Sequence, residues 1–593
     1  MQNKHMNAHF APRIVSSIRL LVLVLGLSVI TMTAACSPQT DSAAPAAAPT
    51  PATLERQTAR FAPVDLTANI ESLPANEADA LRHILLAARI MDGLFLEQVW
   101  AGNPALLTEL ARDASPEGRA ALHYFLINKG PWSRLDHNEP FLGTEFAVPA
   151  KPAQANFYPA DATKEEIDKW VATLKGEAHA RATGFFSVIR RGADGKLVAV
   201  PYNVAYQNAL VEAAGHLRAA AAATTQPTLK KYLELRATAF LSNDYFDSDM
   251  AWMELDASIE PTIGPYETYE DERFGYKAAF EAFVTLRDDA ETKKLGAFSS
   301  ELQGLENALP IDPRFRNTKL GALAPIRVVN VVFTAGDGNR GVQTAAFNLP
   351  NDDRVIKEKG SKRVMLKNVQ DAKFQKVLLP ISAVALAAAD RAKVSFEAFF
   401  THILMHELMH GLGPHQVAGS TGSKGATGSA GATGMAVRLA LKDTYSAIEE
   451  AKADISGLWA LQQLADSGVV SKAIGDSMYT TFLASCFRSI RFGINEAHGK
   501  GIALQLNHLL DQGAFIVNAD GTFRVDDAKI KDAVAGLTRD LMTIQANGDY
   551  AGAQALLKKM VVVRPEVQKV LDKLAGVPVD IEPNFVTAKQ LLK

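Results

Sequence analysis

The chain has 593 residues, 48% hydrophobic and 21% charged, an ordinary globular composition that excludes a disordered, collagenous or disulfide-stapled protein. That length suits several domains or the two lobes of one large enzyme, at roughly 100 to 200 residues per domain. A formal charge of −3, with both signs interspersed, leaves no basic face for a phosphate backbone and excludes nucleic acid as a partner.

Residues 1–35 read as a targeting segment: basic Lys4, Arg13 and Arg19, an apolar run from Leu20 to Met32, then Thr33-Ala34-Ala35 before Cys36. The run is shorter than the about 20 residues of a spanning helix. Small residues before a cysteine resemble the bacterial lipoprotein signal, which makes Cys36 a lipidated anchor. The expectation is an exported protein held by lipid to the bacterial cell envelope on its periplasmic face; plain secretion with Cys36 as an incidental thiol is the alternative. Residues 36–59, rich in Pro and Ala, read as a tether. Without the first 35 residues, 59 basic face 65 acidic residues, a charge of −6. Cys486 is the one other cysteine, so packing must hold the fold together. Its apolar surroundings read as core, not as a nucleophile site.

The body is taken as residues 60–593. From Glu77 to Lys129 and from Thr163 to Phe246 the apolar spacing is mainly helical. Between Ala322 and Leu379 it changes to short β-branched runs, Ile326–Phe333 and Val364–Leu366, separated by Gly-Asp-Gly-Asn and Asn-Asp-Asp turn signals. Helical spacing returns from Ile381 onward, and no internal repeat is present. A mainly helical α+β fold is expected.

The chemistry centres on His406-Glu407-Leu408-Met409-His410, preceded by ten residues with helical spacing and no Gly or Pro. Residues four apart share a helix face, so both imidazoles can reach one Zn2+ while Glu407 lies beside its open position. A catalytic zinc needs a third protein ligand. A metzincin arrangement supplies Gly413 but has Gln416 at the ligand position, with His415 one residue early. The competing source is Tyr445–Trp459, where Glu450 and Asp454 share a face: one carboxylate for the metal, the other for the free N–H of a ligand histidine. Glu449 is a further acid of that kind. His402, one turn before His406, reads as core or as support for the site. The Gly-every-third-residue stretch Gly419–Gly434 reads as a mobile loop, either a neutral insertion or a substrate lid.

These residues resemble the dipeptidyl peptidase III family of zinc metallopeptidases, which pair a His-Glu motif with a downstream Glu-Glu-x-Arg-Ala-Glu motif whose second glutamate binds zinc. Here the second motif is Glu449-Glu450-Ala451-Lys452-Ala453-Asp454, and the first is a five-residue HExxH where the family's usual form is HExxGH. Ile259–Gly275, with Glu267 and Tyr269, is similar to the family's cleft-lining E-S-Y-x-D-P-F-G stretch, with Thr262 where relatives often carry a tyrosine proposed to steady the transition state. Phe347–Asp353 is similar to the N-I-P-N segment, which makes Asn348 and Asn351 binders of the substrate backbone. Arg488–Gly501 resembles the segment carrying the family's active-site histidine, His498.

The resemblance implies two lobes around a wide cleft. A mixed lobe (about 60–283 and 330–378) holds a small β-sheet or barrel, and an all-helical lobe (about 284–329 and 379–575) carries the zinc. It implies one Zn2+ per chain, held by His406, His410 and Glu450, with Glu407 accepting a proton from the zinc-bound water and His498 aiding the oxyanion. The substrates implied are short peptides cut to release N-terminal dipeptides, and a monomer is favoured. The family's occasional fusion to Nudix domains carries no weight here, since the chain has no Nudix glutamate box. The alternatives are a metzincin-like endopeptidase and a non-catalytic zinc- or peptide-binding lipoprotein. Glu407 argues against the latter, because storage needs no base.

Overall fold

Three long helices open the body: α1 (Ala75–Val99), α2 (Gln207–Ala223) and α3 (Pro227–Ser242). Leu81, Ile84, Leu85, Met91 and Phe95 of α1 are fully buried at helical spacing. Glu77 in its first turn is buried and accepts hydrogen bonds from Thr224, Thr225 and Gln226, which pins α1 to the α2–α3 turn. The computed structural model describes residues 50–320, 325–419 and 435–593. The expected signal segment, Cys36, the first part of the tether and the Gly-rich stretch 420–434 lie outside the described residues. No described helix is long and apolar enough to cross a membrane.

Strands β1 (Thr262–Pro265), β2 (Phe280–Arg287), β3 (Ile326–Gly336), β4 (Ala346–Leu349) and β5 (Lys362–Leu366) form one open sheet in the order β1-β2-β3-β5-β4. β5 runs parallel to β3, and every other pairing is antiparallel. The core of the mixed part is therefore a sheet and not a barrel. Sequence pattern reveals β3 and β5 but misses β1, β2 and β4. β2 is buried from Phe280 to Leu286, so it lacks the alternation that marks a half-exposed strand. β4 has only four residues and lies at the sheet edge.

Five helices build the rest: α4 (Phe396–Met409), α5 (Tyr445–Asp466), α6 (Lys472–Ile490), α7 (Ala497–Asp511) and α8 (Ile530–Asn547). α5 is the hub, packed against each of the other four. One hydrophobic core joins α1–α3 to the sheet and a second joins α4–α8. β3 serves both: Ile326 and Val328 enter the helical core, while Val329, Val331 and Val332 enter the other. Near the chain ends, Phe61–Leu66 pairs in parallel with Asp580–Phe585.

Candidate metal centre and cleft

α4 begins at Ser395, whose hydroxyl caps the N–H of Ala398. It ends at His410, so the two histidines occupy its last turn. Beyond it Gly413 turns the chain at φ 80°, a left-handed conformation suited to glycine, and its N–H binds Glu306 Oε2 at 2.8 Å. α5 crosses α4 closely because Gly457 has no side chain: a Cβ there would lie 3.2 Å from His406 N and 3.4 Å from the Met405 carbonyl carbon. Gly501 does the same for α7, with a Cβ position 3.0 Å from Ala451 N and 3.4 Å from Glu450 Cβ. Two glycines thus bring three helices together around Glu450.

Among the described residues, one group of three could hold a metal ion: His406, His410 and Glu450, with ligand atoms all within 4.8 Å of one another. His406 Nδ1 lies 2.7 Å from Asp454 Oδ1 and His410 Nδ1 lies 2.8 Å from Glu449 Oε1. A carboxylate only accepts, so each Nδ1 carries the proton and each Nε2 presents a lone pair. Those two Nε2 atoms stand 3.1 Å apart. Glu450 Oε2 lies 3.3 and 3.9 Å from them, buried and without a hydrogen bond. Three acceptors with no proton between them lack a cation, and the donor set fits a divalent metal that takes imidazole and carboxylate.

The acids that orient the imidazoles are themselves held. Glu449 accepts from Lys452 Nζ at 2.9 Å and from Gln545 Nε2 of α8 at 2.7 Å. Burial alone would raise its pKa, but Lys452 and His410 hold it far below the usual carboxylate range. Asp454, also opposed by burial, is brought to about 2 by His406, and its other oxygen takes Gln505 Nε2 of α7 at 3.3 Å. His402 Nε2 contacts the Asp454 carbonyl at 3.0 Å and packs edge-on against Phe482. It supports the site and is not one of the three. His415 is not in the group either, so the chain brings Glu450, and not the metzincin histidine, to the pair.

Glu407 faces a cleft of about 650 Å³ lined also by Glu267, Tyr269, Asn348, Asn351 and His498. The predicted cleft residues therefore share one space with Glu407, the neighbour of His406. Asn351 Nδ2 donates to the Tyr266 carbonyl at 3.0 Å. His498, in the first turn of α7, has its side chain 65% exposed, with Nε2 3.3 Å from Glu450 Oε2. Thr262 is buried on β1 and accepts from Trp252 Nε1 at 3.1 Å, away from this space. Cys486 is buried and free, its thiol pKa pushed well up by burial.

Several residues at or next to the cleft have no motif to announce them. Arg363 of β5, behind Glu407, places Nε 3.6 Å from Glu407 Oε2. Glu281 and Asp337 add two carboxylates beside Glu267. Glu281 sits on β2 opposite Gly336, and burial first, then Asp337, pushes its pKa well up. A charged residue inside an apolar strand was the one signal that could have exposed it.

A sequence profile of peptidase family M49 matches residues 188–424. The structure of dipeptidyl-peptidase III from Corallococcus sp. strain EGB superposes with a TM-score of 0.77 at 62% identity, covering 92% of this chain and 99% of that one. The chain belongs to peptidase family M49. DPP III from Caldithrix abyssi has a TM-score of 0.85 at 45% identity over 91% of the M49 chain and all (100%) of its own. Nudix hydrolase 3 of Arabidopsis thaliana is 43% identical over 587 residues, covering 91% of this chain and 74% of that protein. Dipeptidyl peptidase 3 of Homo sapiens is 26% identical over 353 residues, 50% of this chain and 45% of that one. The M49 chain is thus a peptidase acting on peptides, with the mainly helical two-lobe fold and small mixed sheet of its structural neighbours.

Proposed function

We propose that this peptidase is a zinc-dependent exopeptidase that releases N-terminal dipeptides from short peptides. The observation that carries the reading is the convergence of His406 Nε2, His410 Nε2 and Glu450 Oε2 as bare acceptors next to Glu407, which lines the cleft. Zinc bound by these three groups supplies a Lewis acid and a water whose pKa falls toward about 7. The rest of the work belongs to the chain. Glu407 takes a proton from the attacking water and hands it to the leaving amine, while Arg363 keeps its carboxylate aimed. His498 at the rim donates to the oxygen that gains charge on the scissile carbonyl. Asn348 and Asn351 pair with peptide groups, to which an amide side chain both donates and accepts. Glu267, with Tyr269 beside it, receives the substrate's terminal ammonium, which fixes how far into the chain the cut falls.

The test separates metal from base. Glu407→Ala keeps about one zinc per chain by elemental mass spectrometry and loses roughly 10²- to 10⁴-fold in cleavage of a dipeptidyl arylamide. Glu450→Ala loses the metal. Full activity in the first variant, or products other than dipeptides from wild-type enzyme, would remove this reading.

A further inference from the structure

A second cavity of about 310 Å³ opens on the other flank of the metal group, between α4, α6 and α7. Phe399, Ile403, Phe482 and Ile502 give it an apolar side, His406, Glu407 and Asp454 of the metal site form another, and it contains one arginine, Arg488. Thr344, Ala346, Glu407 and His498 line both cavities, so the two meet at the base.

Arg488 has no partner. Its guanidinium carbon lies 6.0 Å from the Phe399 ring centroid, and its Nε is buried without a hydrogen bond. Among the described residues it makes no hydrogen bond and no ion pair. Asp580 is the acid that acts on it, but no ion pair joins the two: Asp580 Oδ2 holds Lys373 Nζ at 2.9 Å and the Gln343 N–H at 2.6 Å, and its Oδ1 is buried without a hydrogen bond. Asp454 in the same cavity is engaged by His406 and Gln505, so the guanidinium is left buried without an ion pair, which is costly, and a carboxylate matches its fork.

The first cavity has the opposite character. Its two arginines are committed: Arg340 pairs with Asp337, and Arg134 with Glu270 at 3.1 Å. Glu267 and Glu281 remain as acids with no cation of their own. The charges without partners therefore run from acid, past Glu407, to base. A peptide carries the complementary order, an ammonium at its start and a carboxylate at its end.

We propose that Arg488 binds a carboxylate carried by the leaving fragment, so that the enzyme selects peptides with an acid group a short way beyond the cut bond. The inference rests on the peptidase reading above, with the substrate amine held on the Glu267 side. Two sources present that group: the C-terminus of a short peptide, or an Asp or Glu side chain in a longer one.

The experiment compares zinc-loaded wild type with Arg488→Met, which keeps the side chain's bulk. The substrates are a tetrapeptide as free acid and as C-terminal amide, and an octapeptide with Glu or Gln two residues beyond the cut. The wild type is expected to favour the acid member of at least one pair by about tenfold or more in kcat/KM, chiefly through KM. In Arg488→Met that preference falls to near unity, while Arg488→Lys retains part of it. Discrimination confined to the tetrapeptides identifies the C-terminus as the ligand, and discrimination confined to the octapeptides identifies the side chain. Equal rates for acid and amide in wild type, or a preference that survives in Arg488→Met, would overturn the assignment. Should the variant fail to fold, a dipeptide and its amide serve as competing inhibitors of wild type, and equal inhibition sinks the idea. A wild type that cleaves neither these peptides nor the dipeptidyl arylamide would instead remove the peptidase reading.

Discussion

Neither His406 nor His410 is free to choose its tautomer, because Asp454 and Glu449 fix the Nδ1 proton of each. That arrangement was legible in the sequence: the HELMH spacing places two rings on one face, and the run from Glu449 to Asp454 supplies the acids at helical intervals. Gln505, Gln545 and Arg363 were not, because each reaches the site from an element remote in sequence and no local pattern ties it there. Glu267 gives a pH prediction. Burial, then the neighbouring Asp337, raises its pKa from 4.5 to about 7, so the group is neutral below that pH and charged above it. For peptides with a free amino terminus, kcat/KM is expected to fall as pH drops through about 7, up to tenfold per unit, and Glu267→Gln should remove that limb while lowering the plateau. The stability sign is opposite. Ionising Glu267 costs the folded state stability, a cost absent below its ordinary 4.5 and complete above about 7. A pH–rate profile of the two proteins checks the kinetic claim.

The elements owe their placement to small residues as much as to apolar ones. α5 is buried on most of its circumference, and its alanines and Gly457 let α4 approach until backbone meets backbone. Helical periodicity identified α5 and α4 as helices, yet it could not say that Gly457 marks the crossing, since a glycine within a helix reads only as a weak spot. In Gly457→Ala the added methyl would stand 3.2 Å from His406 N, and the two helices must part by a few tenths of an ångström. The expected loss is about 1–3 kcal/mol of stability, with metal affinity down roughly 10- to 100-fold as the orienting acids shift against the rings. Thermal melts and chelator competition measure the two effects. An unchanged affinity would show that the centre tolerates helix separation. The strands illustrate the reverse limit: β2 is so thoroughly buried that its sequence lacks the alternation by which β-structure is recognised.

Across the whole molecule, the C-terminal strand Asp580–Phe585 stabilises parts far from it in sequence. Asp580 holds Lys373 on the helix that follows β5 and the N–H of Gln343 just ahead of β4. Lys373 Nζ also donates to the Gln343 carbonyl. Asp580→Ala leaves Lys373 buried without its counter-charge, for which a loss of about 3–5 kcal/mol is expected. Denaturant unfolding of that variant at neutral pH tests the figure, and a loss below about 1 kcal/mol would mean that Lys373 finds another partner or sheds its proton. None of this was legible beforehand, because pairing over such sequence distance leaves no periodic trace.

The parallel pairing of Phe61–Leu66 with Asp580–Phe585 also sets an order of events during synthesis. The first strand leaves the ribosome early and must wait until Asp580–Phe585 has been made, about 500 residues later, since among the described residues that segment is its one partner in the ribbon. A chain terminated before Asp580 would lack both that neighbour and the carboxylate on Lys373, leaving a strand edge and a buried cation without partners at once.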